Sequence, residues 1–270
     1  MKLANISLCL ILLLSVGVST LADDSTATSP APDAEKIVVV TSTNAKEVRE
    51  YKVSSSIKGK LPVPDLKEPL DLDAAVSYKI RHKYSVRDDD GLLALEISML
   101  EGEINTQGEK LSMSPNLYPK LTVLLDQNWR FDGYFGASKE QLTRSLPGFS
   151  YSNLIVLFYL YDGDKPHVIG DKWESNVKLP GYGTYKFVTT LKGIEEIDGM
   201  KAATVHQDIT WIITDADEKQ IAAASAAADS SFAIADGKLI KSHIECRVAP
   251  VKQEDSANSV NSKIDILLAK

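Results

Sequence analysis

Cysteine is scarce in this chain of 270 residues, which has only Cys9 and Cys246. Cys9 lies within an apolar run from Ile6 to Val18 that follows Lys2 and precedes small residues, a pattern typical of a secretory signal peptide. We expect cleavage near Ala22, with an uncleaved signal anchor as the alternative. Cleavage would leave Cys246 without a partner for an intrachain disulfide. The sequence therefore predicts an exported protein, periplasmic or extracellular, that is stabilised by packing.

Long apolar runs and positive charge are also limited. Beyond the N-terminus the most apolar stretch is "NLIVLFYLY" at 153–161, about half the ~20 residues that a membrane-spanning helix requires. The mature chain is therefore expected to have no membrane span. The 37 acidic residues outnumber the 30 Lys and Arg residues. Because an acidic chain repels phosphate, nucleic acid is disfavoured as a partner.

Recognisable catalytic motifs are missing. The chain contains no Gly-x-Ser-x-Gly, no Gly-rich phosphate loop and no paired zinc motif. No sequence motif indicates that any of its four histidines belongs to a Ser-His-Asp site. We therefore predict no catalytic residues and no cofactor. A hydrolase without a recognisable motif remains one of the alternative functions.

The chain does contain two stretches with the same order of features. An alternating strand starts at Tyr78 and leads to a turn at Gly91, and a similar strand starts at Tyr185 and leads to Gly199. Asp-containing turns at Asp126 and Asp236 follow at a similar spacing. A domain-scale duplication explains this order, although two unrelated antiparallel meanders would also show such turns.

The duplication suggests an organisation for the whole chain. A disordered linker at 23–36 would follow the signal peptide at 1–22. A first β half at 37–137, a connecting helical segment at 138–161 and a second β half at 162–270 would then form one compact domain. The fold class predicted is mainly β with a few helices, namely a curved antiparallel sheet with short helices packed on its concave side.

The strand patterns predict one apolar and one polar face. In "KAATVHQDITW" Ala203, Val205 and Ile209 alternate with polar residues, as expected for an antiparallel sheet that is covered on one side. The segment 154–161 is apolar all round, which indicates a buried helix or a central strand. The Ala-rich stretch 214–231 favours a helix or a long loop.

Ligand-cavity candidates come from these apolar faces. His82 shares its face with Tyr78, Ile80 and Tyr84, so it is either a core histidine or a polar group inside a ligand cavity. The full set of candidates is His82, Tyr84, Leu154, Phe158, Tyr161 and Trp211. They predict a possible site for a lipid or another apolar ligand.

Two histidine pairs are weak candidates for a metal site. His206 with Asp208, and His243 with Glu245, each place two ligand-type side chains on one face of a strand. They would converge on a metal only if the two strands were neighbours. An ordinary polar sheet face explains them as well, so we predict no metal.

The stretch "HVIGDKWESNVKLPGYGTYKFVTTLKGIEEIDGMKAATV", with "SFAIADGKLIKSHI" after it, resembles uncharacterised bacterial secreted β-rich domains with a Gly-Asp-x-Trp entry. Those domains are similar to the broad class of curved-sheet envelope proteins that includes the LolA and LolB lipoprotein carriers. The resemblance implies a bent antiparallel sheet that wraps short helices around an apolar cavity. It implies a non-enzymatic binding protein for an apolar or amphipathic ligand. The alternative is a structural or interaction protein of the cell envelope with a plugged core.

Overall fold

The computed structural model describes residues 36–39, 46–61, 68–85, 88–114, 120–127, 129–136, 155–161, 165–179, 183–214, 220–250 and 259–269. Residues Glu35–Lys270 form one compact unit. The predicted signal peptide, most of the linker, and residues 138–154 of the connecting segment lie outside the described residues.

The unit is built from twelve strands in one antiparallel sheet that is nearly closed into a barrel. The strands are β1 (Val48–Leu61), β2 (Leu70–Tyr84), β3 (Leu93–Thr106), β4 (Glu109–Ser112), β5 (Leu121–Leu125), β6 (Phe131–Phe135), β7 (Lys172–Leu179), β8 (Gly183–Ile197), β9 (Met200–Thr214), β10 (Gln220–Ala233), β11 (Leu239–Pro250) and β12 (Val260–Leu268). The prediction of a mainly β protein with a large antiparallel sheet is confirmed.

The sheet follows the chain almost without crossovers. Its order is β6-β5-β3-β2-β1-β12-β11-β10-β9-β8-β7, with β4 paired to the end of β3. The pairing of β1 with β12 joins the first and the last strand at the centre of the sheet. The strands β6 and β7 form the two edges of this sheet and approach each other. This arrangement encloses one continuous apolar interior.

The alternation of the strands separates this interior from solvent. In β9, Ala203, Val205 and Ile209 are buried, whereas Asp208 and Thr210 are exposed. The predicted one-sided burial is confirmed for this strand. Gln207 also lies on the buried face, so the interior is not entirely apolar.

Tight turns hold neighbouring strands in register. Asp198 and Gly199 have positive φ angles of 51° and 78° between Ile197 and Met200, which pair directly. A two-residue hairpin loop with two positive φ angles is a type I′ turn, which suits the twist of antiparallel strands. The Asp-Gly sequence therefore explains the β8–β9 hairpin.

The expectation of a helix or a long loop in the Ala-rich stretch is wrong from Gln220 onward, because Gln220–Ala233 is strand β10. Ala224, Ala226 and Ala228 are buried, and the residues between them are exposed. Both edges of β10 pair, with β9 and with β11. This pairing and one-sided burial override the high helix propensity of alanine.

The described part of the connecting segment, Ile155–Tyr161, is buried in the interior as predicted. Only Ile155 and Val156 are helical, and turns and irregular backbone follow. The Tyr161 hydroxyl donates a hydrogen bond to the Ile155 carbonyl at 3.4 Å. This bond satisfies a backbone acceptor that a longer helix would otherwise have paired. No helix in the described ranges is long and apolar enough to cross a membrane.

Candidate ligand site inside the sheet

Register places two polar side chains next to each other in the interior. Arg49 of β1 pairs directly with His82 of β2. Arg49 is 4% exposed and His82 is 0% exposed. Buried charged or polar groups are unfavourable unless they have partners, so the surroundings of this pair need to be described.

His82 is enclosed by aromatic rings. Its ring centroid lies 5.2 Å from that of Tyr51 and 4.8 Å from that of Phe158, and Tyr159 stacks on it at 6.5 Å. Both ring nitrogens are buried and have no hydrogen-bond partner among the described residues. Burial, with a further contribution from the Arg49 charge, lowers the pKa of His82 to about 3. The imidazole is therefore neutral at physiological pH.

Arg49 already has partners. Its Nε donates to Glu47 Oε1 at 2.8 Å, and its guanidinium lies 5.0 Å from the centroid of the Tyr84 ring. Burial by itself lowers the pKa of Arg49, but its interactions with Tyr84 and Glu47 raise the pKa above its ordinary value. Arg49 therefore stays charged, and Glu47 provides a counter-charge.

Tyrosine hydroxyls complete the polar part of the cluster. The hydroxyls of Tyr84 and Tyr159 lie 3.0 Å apart in hydrogen-bond contact. Burial raises the pKa of both phenols, so both are neutral. Trp129 stacks on Tyr159 with centroids 5.4 Å apart. We call Arg49, Tyr51, His82, Tyr84, Phe158 and Tyr159 the aromatic cluster.

The interior has polar groups outside this cluster as well. Ser55 is buried, and its hydroxyl has no hydrogen-bond partner in the part of the chain that the structure describes. Other interior polar side chains are paired: Gln207 donates to Thr189 at 3.4 Å, and the hydroxyls of Ser230 and Ser242 lie 2.8 Å apart. Among the described residues, buried polar atoms without a partner lie at Ser55 and His82 on the adjacent strands β1 and β2, and also at Trp173 Nε1 on β7.

The sequence-based candidates divide into two places. His82, Tyr84 and Phe158 come together in the aromatic cluster, and Tyr161 adjoins it, 6.5 Å from Tyr159. Trp211 instead stacks on Tyr185, with centroids 5.0 Å apart and an interplanar angle of 21°. Leu154 lies outside the described residues.

Sequence reasoning missed four members or neighbours of the cluster, namely Arg49, Tyr51, Trp129 and Tyr159. Arg49, Tyr51, Val53 and Ile57 are all buried on β1 and lie on one face of the strand, at odd-numbered positions. That period of two was a usable signal. Trp129 follows the Asp126 turn with a φ of 61°, and nothing local indicates that its ring reaches Tyr159.

The histidine pairs on the outer face do not converge. Strand β10 separates β9, which carries His206 and Asp208, from β11, which carries His243 and Glu245. His206 Nδ1 instead lies 2.8 Å from Asp229 Oδ1, and His243 Nδ1 lies 2.6 Å from Asp265 Oδ1. Across the described ranges, no group of three or more ligand-type side chains could hold a metal ion.

The cluster shows no catalytic constellation among the described residues. Its walls are aromatic, its cation is paired, and His82 has one hydrogen-bond donor and one acceptor that no described residue uses. Apolar walls with a few polar groups are also found in ligand-binding sites.

No protein-family model and no curated protein matches the chain. Among solved structures, the chain is similar to DynF from the dynemicin biosynthesis pathway of Micromonospora chersina. The two chains are 8% identical, and the alignment covers 93% of this chain and 92% of DynF, with a TM-score of 0.21. A score this low is no basis for inferring a shared fold or function.

Proposed function

We propose that this chain is a non-enzymatic binding protein for an apolar or amphipathic ligand, which it holds inside the sheet beside His82. The observation that carries the proposal is the fully buried imidazole of His82, whose two nitrogens have no partner among the described residues. A ligand with a polar group at this position would supply the missing hydrogen bond.

Without a ligand, the buried imidazole of His82 lowers the stability of the protein. A buried polar group without a partner costs about 1–3 kcal/mol, and such groups are rare in proteins. A core that served packing alone would be more stable with an aliphatic residue at position 82. The presence of a histidine among Tyr51, Phe158 and Tyr159 therefore supports a binding role.

The segment Ile155–Tyr161 is the element that would make room for a ligand. It is irregular beyond Val156, and it packs on the strands through side chains. Such a segment can move at a smaller cost in stability than a strand, because a strand is held by a ladder of hydrogen bonds on each side. Phe158 and Tyr159, which contact His82 from this segment, would move to admit the ligand.

We propose that this binding takes place outside the cytoplasm, in the periplasm or the extracellular space, after removal of the signal peptide near Ala22. The resemblance to curved-sheet envelope carriers supports this location. We also propose that the sheet arose by duplication. The order β1-β2-β3-β5-β6 in one half and β7-β8-β9-β10-β11 in the other, each following the chain, supports that origin.

A structural protein of the cell envelope with a plugged core is the second candidate. It is favoured by the burial of Ile155–Tyr161, where every side chain except that of Leu157 is classed as buried. In this alternative the segment is a permanent part of the core. The two candidates therefore differ in whether the segment can be displaced.

The test compares the protein before and after solvent extraction by native mass spectrometry, followed by titration of the extracted protein with Nile red, an uncharged apolar dye. A binding protein should lose an apolar mass on extraction or take up the dye with 1:1 stoichiometry. Phe158→Ala should then change dye affinity severalfold. Phe232→Ala, which removes an equally buried ring from β10, should leave dye affinity unchanged.

A plugged structural protein gives a different result. It would bind no dye in either form, and Phe158→Ala would only lower stability, by about 3–5 kcal/mol. That combination of results would rule out the binding function in favour of the plugged core.

A further inference from the structure

We propose that the interior site selects an uncharged ligand, an apolar molecule that carries a hydroxyl or carbonyl group hydrogen-bonded to His82, and rejects the corresponding carboxylate. This inference rests on the proposed binding function and names the class of ligand. Three properties of the aromatic cluster lead to it: its balance of charge, the existing partners of Arg49, and the chemistry of a neutral imidazole.

The cluster is already electrically balanced. Arg49 and Glu47 form an ion pair at 2.8 Å, and the side chain of Arg49 is 3% exposed. The phenols of Tyr51, Tyr84 and Tyr159 are neutral because burial raises each pKa. A bound carboxylate would add a negative charge without a counter-charge, and burying an unpaired charge is strongly unfavourable.

Arg49 is poorly placed to become that counter-charge. Its Nε donates to Glu47, and its guanidinium lies over the ring of Tyr84. A carboxylate that took Arg49 as its partner would compete with Glu47, whose side chain is half-buried beside it. The exchange gains little, because one carboxylate replaces another at the same cation.

His82 is not a substitute cation. Protonating it would place a second positive charge directly opposite Arg49 on the neighbouring strand, next to the rings of Tyr51 and Phe158. Burial and the Arg49 charge both oppose this protonation. His82 therefore acts as a neutral group, with one N–H donor and one nitrogen acceptor.

A hydroxyl group matches either nitrogen of a neutral imidazole, because it both donates and accepts a hydrogen bond. A carbonyl oxygen matches the N–H nitrogen. The rings of Tyr51, Phe158 and Tyr159 around His82 provide an apolar environment for the rest of the molecule. A single uncharged polar group on an apolar body fits both features.

The test uses three fluorescent probes with one body: 1-pyrenebutanol, 1-pyrenebutanoate and 1-butylpyrene. Each is titrated into the solvent-extracted full chain at pH 8, for the wild type, His82→Leu and His82→Gln. We expect the wild type to bind the alcohol at least tenfold more tightly than the carboxylate. His82→Leu should weaken binding of the alcohol by about three- to tenfold, the worth of one hydrogen bond, without weakening binding of butylpyrene.

The glutamine variant separates the role of the hydrogen bond from loss of structure. Because glutamine keeps a donor and an acceptor, His82→Gln should retain more of the affinity for the alcohol than His82→Leu does. Carboxylate binding as tight as alcohol binding would overturn the inference while leaving the binding function intact. Equal losses for alcohol and butylpyrene in His82→Leu would also overturn it. Failure of all three probes to bind would instead refute the proposed function, and this inference with it.

Discussion

Replacing His82 by leucine should change both the stability of the unliganded protein and its dependence on pH. His82 is 0% exposed, and both of its ring nitrogens lack hydrogen-bond partners among the described residues. Leucine has a similar volume and no polar atoms. At pH 7 the substitution should remove a penalty of about 1–3 kcal/mol, offset by about 0.5–1.5 kcal/mol for the lost contacts with Tyr51 and Phe158. We expect a net gain of about 1 kcal/mol in the free energy of unfolding.

The pH dependence gives a larger and more specific signal. In the unfolded chain His82 takes up a proton as the pH falls through its ordinary pKa of 6.5, whereas in the folded protein burial lowers its pKa to about 3. Between these values the unfolded state binds more protons, so stability falls as the pH falls. The slope approaches about 1.4 kcal/mol per pH unit, and the loss between pH 7 and pH 5 is about 2 kcal/mol.

The assay is urea unfolding followed by tryptophan fluorescence at pH 7, 6 and 5. Groups common to both proteins contribute equally, so the difference between wild type and His82→Leu isolates position 82. The advantage of the variant should grow by about 2 kcal/mol from pH 7 to pH 5. Ser55→Ala is the matched control, because it removes a second buried polar group without a partner among the described residues, and a serine hydroxyl neither gains nor loses a proton in this pH range. Its pH curve should run parallel to that of the wild type.

Parallel curves for the wild type and His82→Leu would refute the reasoning. They would mean that His82 takes up its proton in the folded protein at nearly the same pH as in the unfolded chain. The imidazole would then have a partner or access to water. A loss of more than about 2 kcal/mol at pH 7 in His82→Leu would lead to the same conclusion, because breaking a satisfied buried interaction has that cost.

Two further predictions concern residues outside the cluster. Zinc at modest excess should leave the melting temperature unchanged, because β10 separates His206 from His243. A real zinc site, with zinc at 100 times its Kd, would instead raise the free energy of unfolding by about 2.7 kcal/mol. A rise in melting temperature that His206→Ala abolished would therefore contradict this prediction. Cys246 should react with iodoacetamide at pH 8 at least tenfold more slowly in the folded protein than in urea, because burial raises its pKa to about 11 and the thiolate is the reactive form. Equal rates in both states would contradict its burial.

The outer polar faces and the inner apolar faces of the strands could be predicted from the sequence, because the alternation of side chains along a strand is a local property. The alternation in β9 is confirmed in the described residues. The Asp198-Gly199 turn was predictable for the same reason, since two residues alone determine the preference for positive φ angles. The burial of Phe158 could be predicted because the surrounding run is apolar on all sides and so has no polar face that could lie in solvent.

Strand β10 shows where local information is insufficient. Its alanines favour a helix in isolation, and only the hydrogen-bond ladders with β9 and β11 make the extended backbone more stable. The same strand also determines how far apart the outer histidines lie. Each His-acid pair was visible in the sequence, but the intervening strand that keeps His206 from His243 was not.

The candidate site depends on tertiary structure to an even greater degree. Its central contact, Arg49 opposite His82, requires the register of β1 against β2, and a shift by one residue would turn one side chain to the other face. Tyr159 reaches Tyr84 across 75 positions of sequence. The residue types and their faces were therefore determined locally, whereas their assembly around an unpartnered imidazole was decided by long-range pairing, which no local pattern encodes.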